Sequence, residues 1–437
     1  MKYRFLFFEL LVVMKSLIRW TVILGSIAAF SVPAFAQYNW GAPWGKDKDP
    51  FEFAEITSLD RTIVNGDIVH YRYDVFVGPG QFDVIRIHRV VREKKPFQPI
   101  PTVEGVFLLP GSPNLFEFIF MAPSLSTAVP WDQSIAAFLA KNDIDVWGID
   151  YGWLLIPPGT TDFGFLKGWG VQKDAEHTEI ALSIARRIRT LTGQGFGRFH
   201  LLGFSYGLFL AYAVAGEESQ MPPGHRNVKS IIPVDSPMKV FTESSRLSSC
   251  KNALNYQAQI AAGVYRIEGS KEIYELAESD PDGPSPIYPG LTNLQAVMKR
   301  LTGFCTSELD ASGNPVSLKY SNINMIVDAG LANSVDTTMQ ASFEIAACRC
   351  EDPLVADVNW DDHLGEITIP ILSITRAKLG DRAATLTASD DITVLIVLPP
   401  DFPDFGHADM FFAGLAETKI WTPILDWILA HRSNGND

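Results

Sequence analysis

Cysteine is scarce in this chain of 437 residues, with Cys250, Cys305, Cys348 and Cys350 the only four, all confined to one stretch. So low a count excludes a disulfide-rich scaffold. No histidine lies at ligand spacing beside them and a C-x-C pair is a poor zinc knuckle, so no metal site is expected. The even number predicts two disulfides instead, with three pairings open, in which Cys348 and Cys350 each reach back to Cys250 or Cys305. Basic residues are also in deficit: 36 Lys and Arg stand against 50 Asp and Glu, a formal net charge of -14. A field of that sign, with no offsetting Lys/Arg cluster, repels phosphate backbones and excludes nucleic acid as a partner. Beyond the N-terminus no apolar run reaches spanning length, so no integral membrane span is expected in the mature chain. Internal repeats and long low-complexity tracts are missing too. Asp280-Pro281-Asp282-Gly283 lacks the spaced ligands and the closing Glu of a calcium loop and reads as a turn.

What is present is apolar material: 47% of residues are hydrophobic and 20% charged, enough for a large ordered core. At the N-terminus Lys15 and Arg19 precede the apolar stretch 21–30 and the segment Ser-Val-Pro-Ala-Phe-Ala, whose Ala34 and Ala36 fit an A-x-A cleavage site. Residues 1–36 are therefore expected to be an export signal removed before Gln37, which makes the protein secreted or periplasmic. Translation could start at Met1 or at Met14, because a second basic and apolar stretch precedes Met14.

Residues 37–60 read as an irregular lead-in, followed by two alternating stretches, 68–76 and 82–91, separated by Val77-Gly78-Pro79-Gly80. These predict paired antiparallel strands at a sheet edge. From residue 103 the pattern changes to short, continuously apolar runs at 103–109, 145–149, 199–204, 228–234, 369–375 and 392–398. Helical stretches at 131–141, 173–192, 207–216 and 408–430 separate or follow them. Strands apolar throughout, alternating with helices, predict an α/β fold with a doubly wound, mostly parallel sheet buried on both faces. The alternation stops over 237–363, where Ser, Thr, Asn and Ala dominate and helices are expected at 271–278 and 294–301. That segment holds every cysteine and reads as an inserted helical cap pinned by its own disulfides. The expected division is thus signal 1–36, first part of the core 37–236, cap 237–363 and second part of the core 364–437.

The most informative local feature is Gly203-Phe204-Ser205-Tyr206-Gly207, set between an apolar run that ends at Phe204 and a second that begins at once. Strand, sharp turn and helix follow, with Ser205 exposed at the tip and a glycine two positions either side keeping side chains out of the bend. A serine hydroxyl is a poor nucleophile at its ordinary pKa and needs a base, and the base needs an acid to orient it. His407, in Phe405-Gly406-His407-Ala408-Asp409 ahead of the last helical stretch, lies where the loops at the carboxyl end of the sheet converge and is the expected base. The other seven histidines fall in strands, on a helix, near the tail or in peripheral loops. Asp381, on the loop after the run 369–375, is the first choice of acid, and Asp235, at the end of the run 228–234, is the alternative. Asp150 and Asp409 read as structural. The oxyanion needs two N–H donors, for which the backbone of Tyr206 and that of Ser112, in Pro110-Gly111-Ser112-Pro113-Asn114, are the candidates.

With Ser205, Asp381 and His407 in that chain order, the sequence resembles the α/β-hydrolase superfamily over about residues 100–236 and 364–430, carried by the elbow and the histidine loop. The segment Gly406-His407-Ala408-Asp409 also resembles its counterpart in acid-lipase-type members, whereas Pro110 stands where a histidine usually precedes the oxyanion-loop glycine. The resemblance implies acyl transfer through an acyl-enzyme, with no cofactor. Leu115, Phe116, Phe118, Ile119 and Phe120, with Tyr151, Trp153, Leu154, Leu155 and Ile156, give the expected site a greasy rim and point to a hydrophobic carboxylic ester as substrate. A catalytically inactive relative acting as a binding protein, and a peptidase or amidase with the same triad, are the other readings.

Overall fold

The structure is a computed structural model that describes residues 54–432 apart from 270, 302–304, 334–335, 377–379 and 399–404. The expected export signal and its cleavage site lie outside the described residues, as does most of the lead-in.

Three strands, β1 (Glu55–Asn65), β2 (Ile68–Phe76) and β3 (Val84–Lys95), pair antiparallel, and the short β4 (Gln98–Pro99) joins the far side of β3. The strands β5 (Glu104–Leu109), β6 (Ile144–Asp150), β7 (Phe199–Phe204) and β8 (Val228–Val234) run parallel to one another. Between them come helices α1 (Phe116–Phe120), α2 (Val171–Leu191) and α3 (Tyr206–Ser219), together with a helix at Ile135–Lys141. After β8 the chain leaves the sheet. It forms α4 (Glu243–Ala261), β9 (Arg266–Ile267), helices Glu272–Ser279 and Asn293–Leu301, the pair β10 (Ser307–Leu309) and β11 (Pro315–Leu318), helix Ile323–Gly330, β12 (Thr337–Thr338) and α5 (Met339–Cys350). It then returns as β13 (Ile371–Arg376) and β14 (Ile392–Val397), before α6 (Asp409–Phe412) and α7 (Thr422–Ala430). The ten-stranded sheet has the order β1-β2-β3-β6-β5-β7-β8-β13-β14, with β4 off the path.

The reason for this arrangement is legible strand by strand. All residues of β5, β6 and β7 are buried, as befits strands covered on both faces. Neighbours along a strand go to opposite sides: Phe107, Leu201 and Ile231 join one core, and Leu108, Leu202 and Ile232 the other. Asp145, a buried carboxylate of β6, is held by Arg89 Nε at 2.8 Å and Arg189 Nε at 3.1 Å, so its charge is partnered.

Four expectations need correction. The lead-in is not irregular to residue 60, because β1 begins at Glu55; its polar residues belong to an edge strand that solvent covers. The last helical stretch is not continuous either. It stops after Phe412, where Ala413 makes an antiparallel bridge with Ser321 of the inserted segment, and resumes with the π-turn Glu417–Trp421. The inserted segment is not purely helical, since it carries β9–β12 as well. Finally, one disulfide forms among the described residues, not two: Cys250–Cys350 ties α4 to α5, while Cys305 and Cys348 are free. Those two thiols stand in different cores, Cys305 beside Phe405 and Cys348 beside Met238, and so cannot meet. Burial pushes both thiols well above the ordinary cysteine range.

Burial also raises carboxyls on the helices that cover the sheet. Glu344 of α5 accepts hydrogen bonds from Gln340 Nε2 at 2.8 Å and Gln172 N at 3.2 Å at the start of α2, and burial raises it to about 7. A carboxyl raised in the folded state contributes stability that is complete below its unfolded value near 4.5 and is lost as pH rises through about 7. The linkage ceiling for such a shift is about 3 kcal/mol. Glu344→Gln is therefore expected to be closest to the wild type, or more stable, at alkaline pH and to lose ground as pH falls toward 5. Urea midpoints measured across that interval check it; parallel pH profiles would contradict it.

Candidate active site

The elbow is built by steric necessity. Ser205 sits at φ 55°, ψ -109°, a positive φ outside the left-handed helical well, between the end of β7 and the first turn of α3. A Cβ on Gly203 would stand 2.1 Å from the carbonyl oxygen of Gly207, and one on Gly207 would stand 2.2 Å from that of Leu109. Both positions must be glycine for α3 to start this close to β7 and β5. The backbone of Ser205 is fixed from below by its N–H, which donates to Val234 O at 3.0 Å.

The loop after β5 lies against this elbow. A Cβ on Gly111 would be 2.8 Å from Ser205 Cβ, so the glycine lets the loop backbone touch the serine. Four contacts set its course. Tyr151 donates its hydroxyl to Pro110 O at 2.9 Å, Phe116 N donates to Asp150 Oδ1 at 2.7 Å, and Leu115 N donates to Asn333 Oδ1 at 2.9 Å. Ser112 Oγ and Thr337 Oγ1 share a hydrogen bond of 2.8 Å. Asn333 also donates from Nδ2 to Asn114 Oδ1 at 2.8 Å, so two residues of the inserted segment grip the loop that carries Ser112. The other expected donor residue, Tyr206, is anchored through its phenol to Asp174 Oδ2 at 2.6 Å. Asp174 further accepts the indole N–H groups of Trp153 and Trp169; burial nonetheless raises it to about 6.

His407 comes to the same place. Its ring stacks on Phe204, the residue before Ser205, with centroids 4.5 Å apart. Its Nδ1 is 2.6 Å from Asp235 Oδ2. Asp235 ends β8 at φ 52° and is buried, and its own N–H donates to Ile374 O at 2.8 Å, which aims its carboxylate over the end of β13 toward the histidine loop. The partner of the imidazole is thus the alternative acid. Asp381, the first choice, is a correction: it is buried elsewhere, with Oδ2 accepting from Tyr212 Oη and Ser373 Oγ, both at 2.8 Å, and Oδ1 accepting from Ala384 N at 3.3 Å. Its carboxylate is taken up by Tyr212 of α3 and Ser373 of β13. Asp150 and Asp409 hold backbone, as expected: Asp409 accepts from Gly406 N and Thr306 N, both at 2.8 Å, and so shapes the turn in front of His407.

One residue of the site escaped the sequence reading. Arg376, the last residue of β13, donates from Nε at 2.9 Å and from its backbone N–H at 3.3 Å to Asp235 Oδ1. An arginine closing the buried strand Ile371–Arg376 was the signal available. Beside the loop after β5 opens a cleft of about 1000 Å³, with Leu115, Leu154, Ile156, Phe163, Asp336 and Thr337 among its lining and Arg266 set over the Phe163 ring. Among the described residues no group of three His, Cys, Asp or Glu is arranged to hold a metal ion, and no helix is long and apolar enough to cross a membrane.

No protein-family model matches the chain. Nor does any curated protein match it. Among solved structures, a candidate lipase from Sulfolobus solfataricus is similar over 87% of this chain and 100% of its own, with a TM-score of 0.61 and 19% sequence identity. Weaker matches include a candidate lipase from Acinetobacter baumannii, at TM-score 0.40 and 13% identity over 86% of this chain and 93% of its own. A thermophilic esterase from Thermogutta terrifontis matches at TM-score 0.39 and 12% identity, over 83% of this chain and 99% of its own. The first of these similarities establishes a shared architecture.

Proposed function

Since this chain has the α/β-hydrolase fold, we propose that it is a serine hydrolase that cleaves carboxylic esters through Ser205, His407 and Asp235. The observation that carries the reading is the 2.6 Å contact between His407 Nδ1 and Asp235, with the same imidazole stacked on the residue next to an elbow serine.

The chemistry then runs on known lines. Asp235 fixes the tautomer in which Nδ1 carries the proton, leaving Nε2 to accept the proton of Ser205 as its oxygen attacks the ester carbonyl. The backbone N–H groups of Tyr206 and Ser112 stabilise the oxyanion that forms. Collapse of the tetrahedral intermediate expels the alcohol, protonated by His407, and leaves the acyl group on Ser205. Water, deprotonated by the same imidazole, hydrolyses that ester in the second half. Leu154, Ile156 and Phe163 give the otherwise mixed, charge-bearing cleft apolar surface that suits a hydrophobic portion of a substrate. The Cys250–Cys350 disulfide supports an oxidising location outside the cytoplasm.

A fluorophosphonate probe tests the reading directly. The wild-type protein is expected to take up one adduct, located on Ser205 by peptide mass spectrometry, and to hydrolyse p-nitrophenyl esters in preference to aminoacyl anilides. Folded protein that acquires no adduct on Ser205 would refute it.

A further inference from the structure

We propose that Arg376 is a positioning residue that holds the Asp235 carboxylate for His407 and offsets its charge. The inference rests on the serine-hydrolase reading of Ser205, His407 and Asp235.

The carboxylate meets two partners. Oδ2 faces His407 Nδ1 at 2.6 Å, Oδ1 receives the backbone N–H of Arg376 at 3.3 Å, and Arg376 Nε lies 2.9 Å from both oxygens. Asp235 is fully buried, so a single imidazole would leave part of its hydrogen-bonding capacity and all of its charge unanswered. Arg376 answers both. Its side chain also reaches back to Phe405 O at 3.5 Å, two residues before His407, and so braces the loop that delivers the base. The strand end bearing Arg376 and the one bearing Asp235 are hydrogen-bonded neighbours, since Asp235 N donates to Ile374 O. Guanidinium, carboxylate and imidazole are thereby fixed by the sheet.

Electrostatics gives the consequence. An imidazolium beside a lone buried carboxylate is stabilised by a full opposite charge and forms early as pH falls. With a guanidinium already on that carboxylate, the charge facing the imidazole is largely offset, while the orienting hydrogen bond is kept. Other charged groups around the pair, among the described residues, are committed elsewhere. Asp409 of α6 is engaged by Gly406 N, Thr306 N and Ser321 Oγ, and Arg349 of α5 by Pro237 O and Ser236 Oγ. The Cys305 thiol, whose backbone packs on Gly406, is held protonated by burial. Phe204 presents an apolar face.

Two readouts test this. In the first, kcat/KM for p-nitrophenyl butyrate is followed from about pH 4 to about pH 9 in the wild type, Arg376→Gln, Arg376→Met and Arg376→Lys. In the second, the imidazole C2 proton of His407 is titrated by NMR in Ser205→Ala, with and without the Arg376 substitution, which needs no turnover. Loss of the cation is expected to move the acid limb and the NMR midpoint upward by about one pH unit, and Arg376→Lys to restore most of the difference. Whichever of the Gln and Met variants retains the wild-type circular dichroism decides the matter. Coincident acid limbs and coincident midpoints would overturn the proposal. Absence of turnover and of fluorophosphonate labelling in the wild type would instead overturn the hydrolase reading, while the NMR midpoints would still report on the arginine.

Discussion

Ser205→Ala and His407→Ala are each expected to lower kcat for a p-nitrophenyl ester by about 10⁶-fold, and the double variant to be no worse than either single one. The nucleophile and its base act as one unit: without the imidazole the hydroxyl keeps its proton, and without the hydroxyl the imidazole has nothing to activate. Residual rate would come from the oxyanion donors and from binding, which neither change touches. Folding should be little affected by Ser205→Ala, because one oxygen is removed and the backbone at φ 55° keeps its Val234 anchor. Steady-state kinetics with a matched thermal midpoint is the measurement. Additive losses in the double variant would mean that the two residues do not cooperate.

The second large effect separates two aspartates. Asp235→Asn should cost about 10⁴-fold in kcat, since an amide in that place can turn its NH₂ toward Nδ1 and select the tautomer that is useless for accepting the serine proton. Asp381→Asn should leave turnover in place and instead weaken the fold by about 1–3 kcal/mol, the range for a disturbed buried hydrogen-bond acceptor. Tyr212 and Ser373 both point a hydroxyl at that carboxylate. If kcat fell in Asp381→Asn and survived in Asp235→Asn, the assignment made from the 2.6 Å contact would be wrong.

Legibility from the sequence followed the range of the interactions involved. The elbow could be read because its requirements are local: two glycines, a serine between them, and apolar runs whose period changes from strand to helix. The parallel strands could be read because burial on both faces leaves few polar residues to confuse the pattern, as in β7, where His200 is the one polar side chain. His407 could be singled out because a glycine-bearing loop before a helix is also a local signature. The acid was not settled in this way, since both Asp235 and Asp381 follow strands at the same edge. Which carboxylate meets the ring depends on the positive φ at Asp235 and on the buried partners of Asp381, and both are tertiary facts. β1 was missed because an edge strand carrying Asp60, Arg61 and Thr62 has no apolar face to announce it. The break after Phe412 was unreadable for a related reason: its cause, a bridge to Ser321, lies about ninety residues away.

The grip of Asn333 and Thr337 on residues 112–115 has a mechanical corollary. Any outward swing of the stretch bearing those two side chains must either rupture three hydrogen bonds at once or drag the strip that would cradle the negatively charged oxygen. On the hydrolase reading proposed above, displacement of those two side chains and disturbance of the strip that carries Ser112 are therefore coupled, and replacing Asn333 would loosen that coupling.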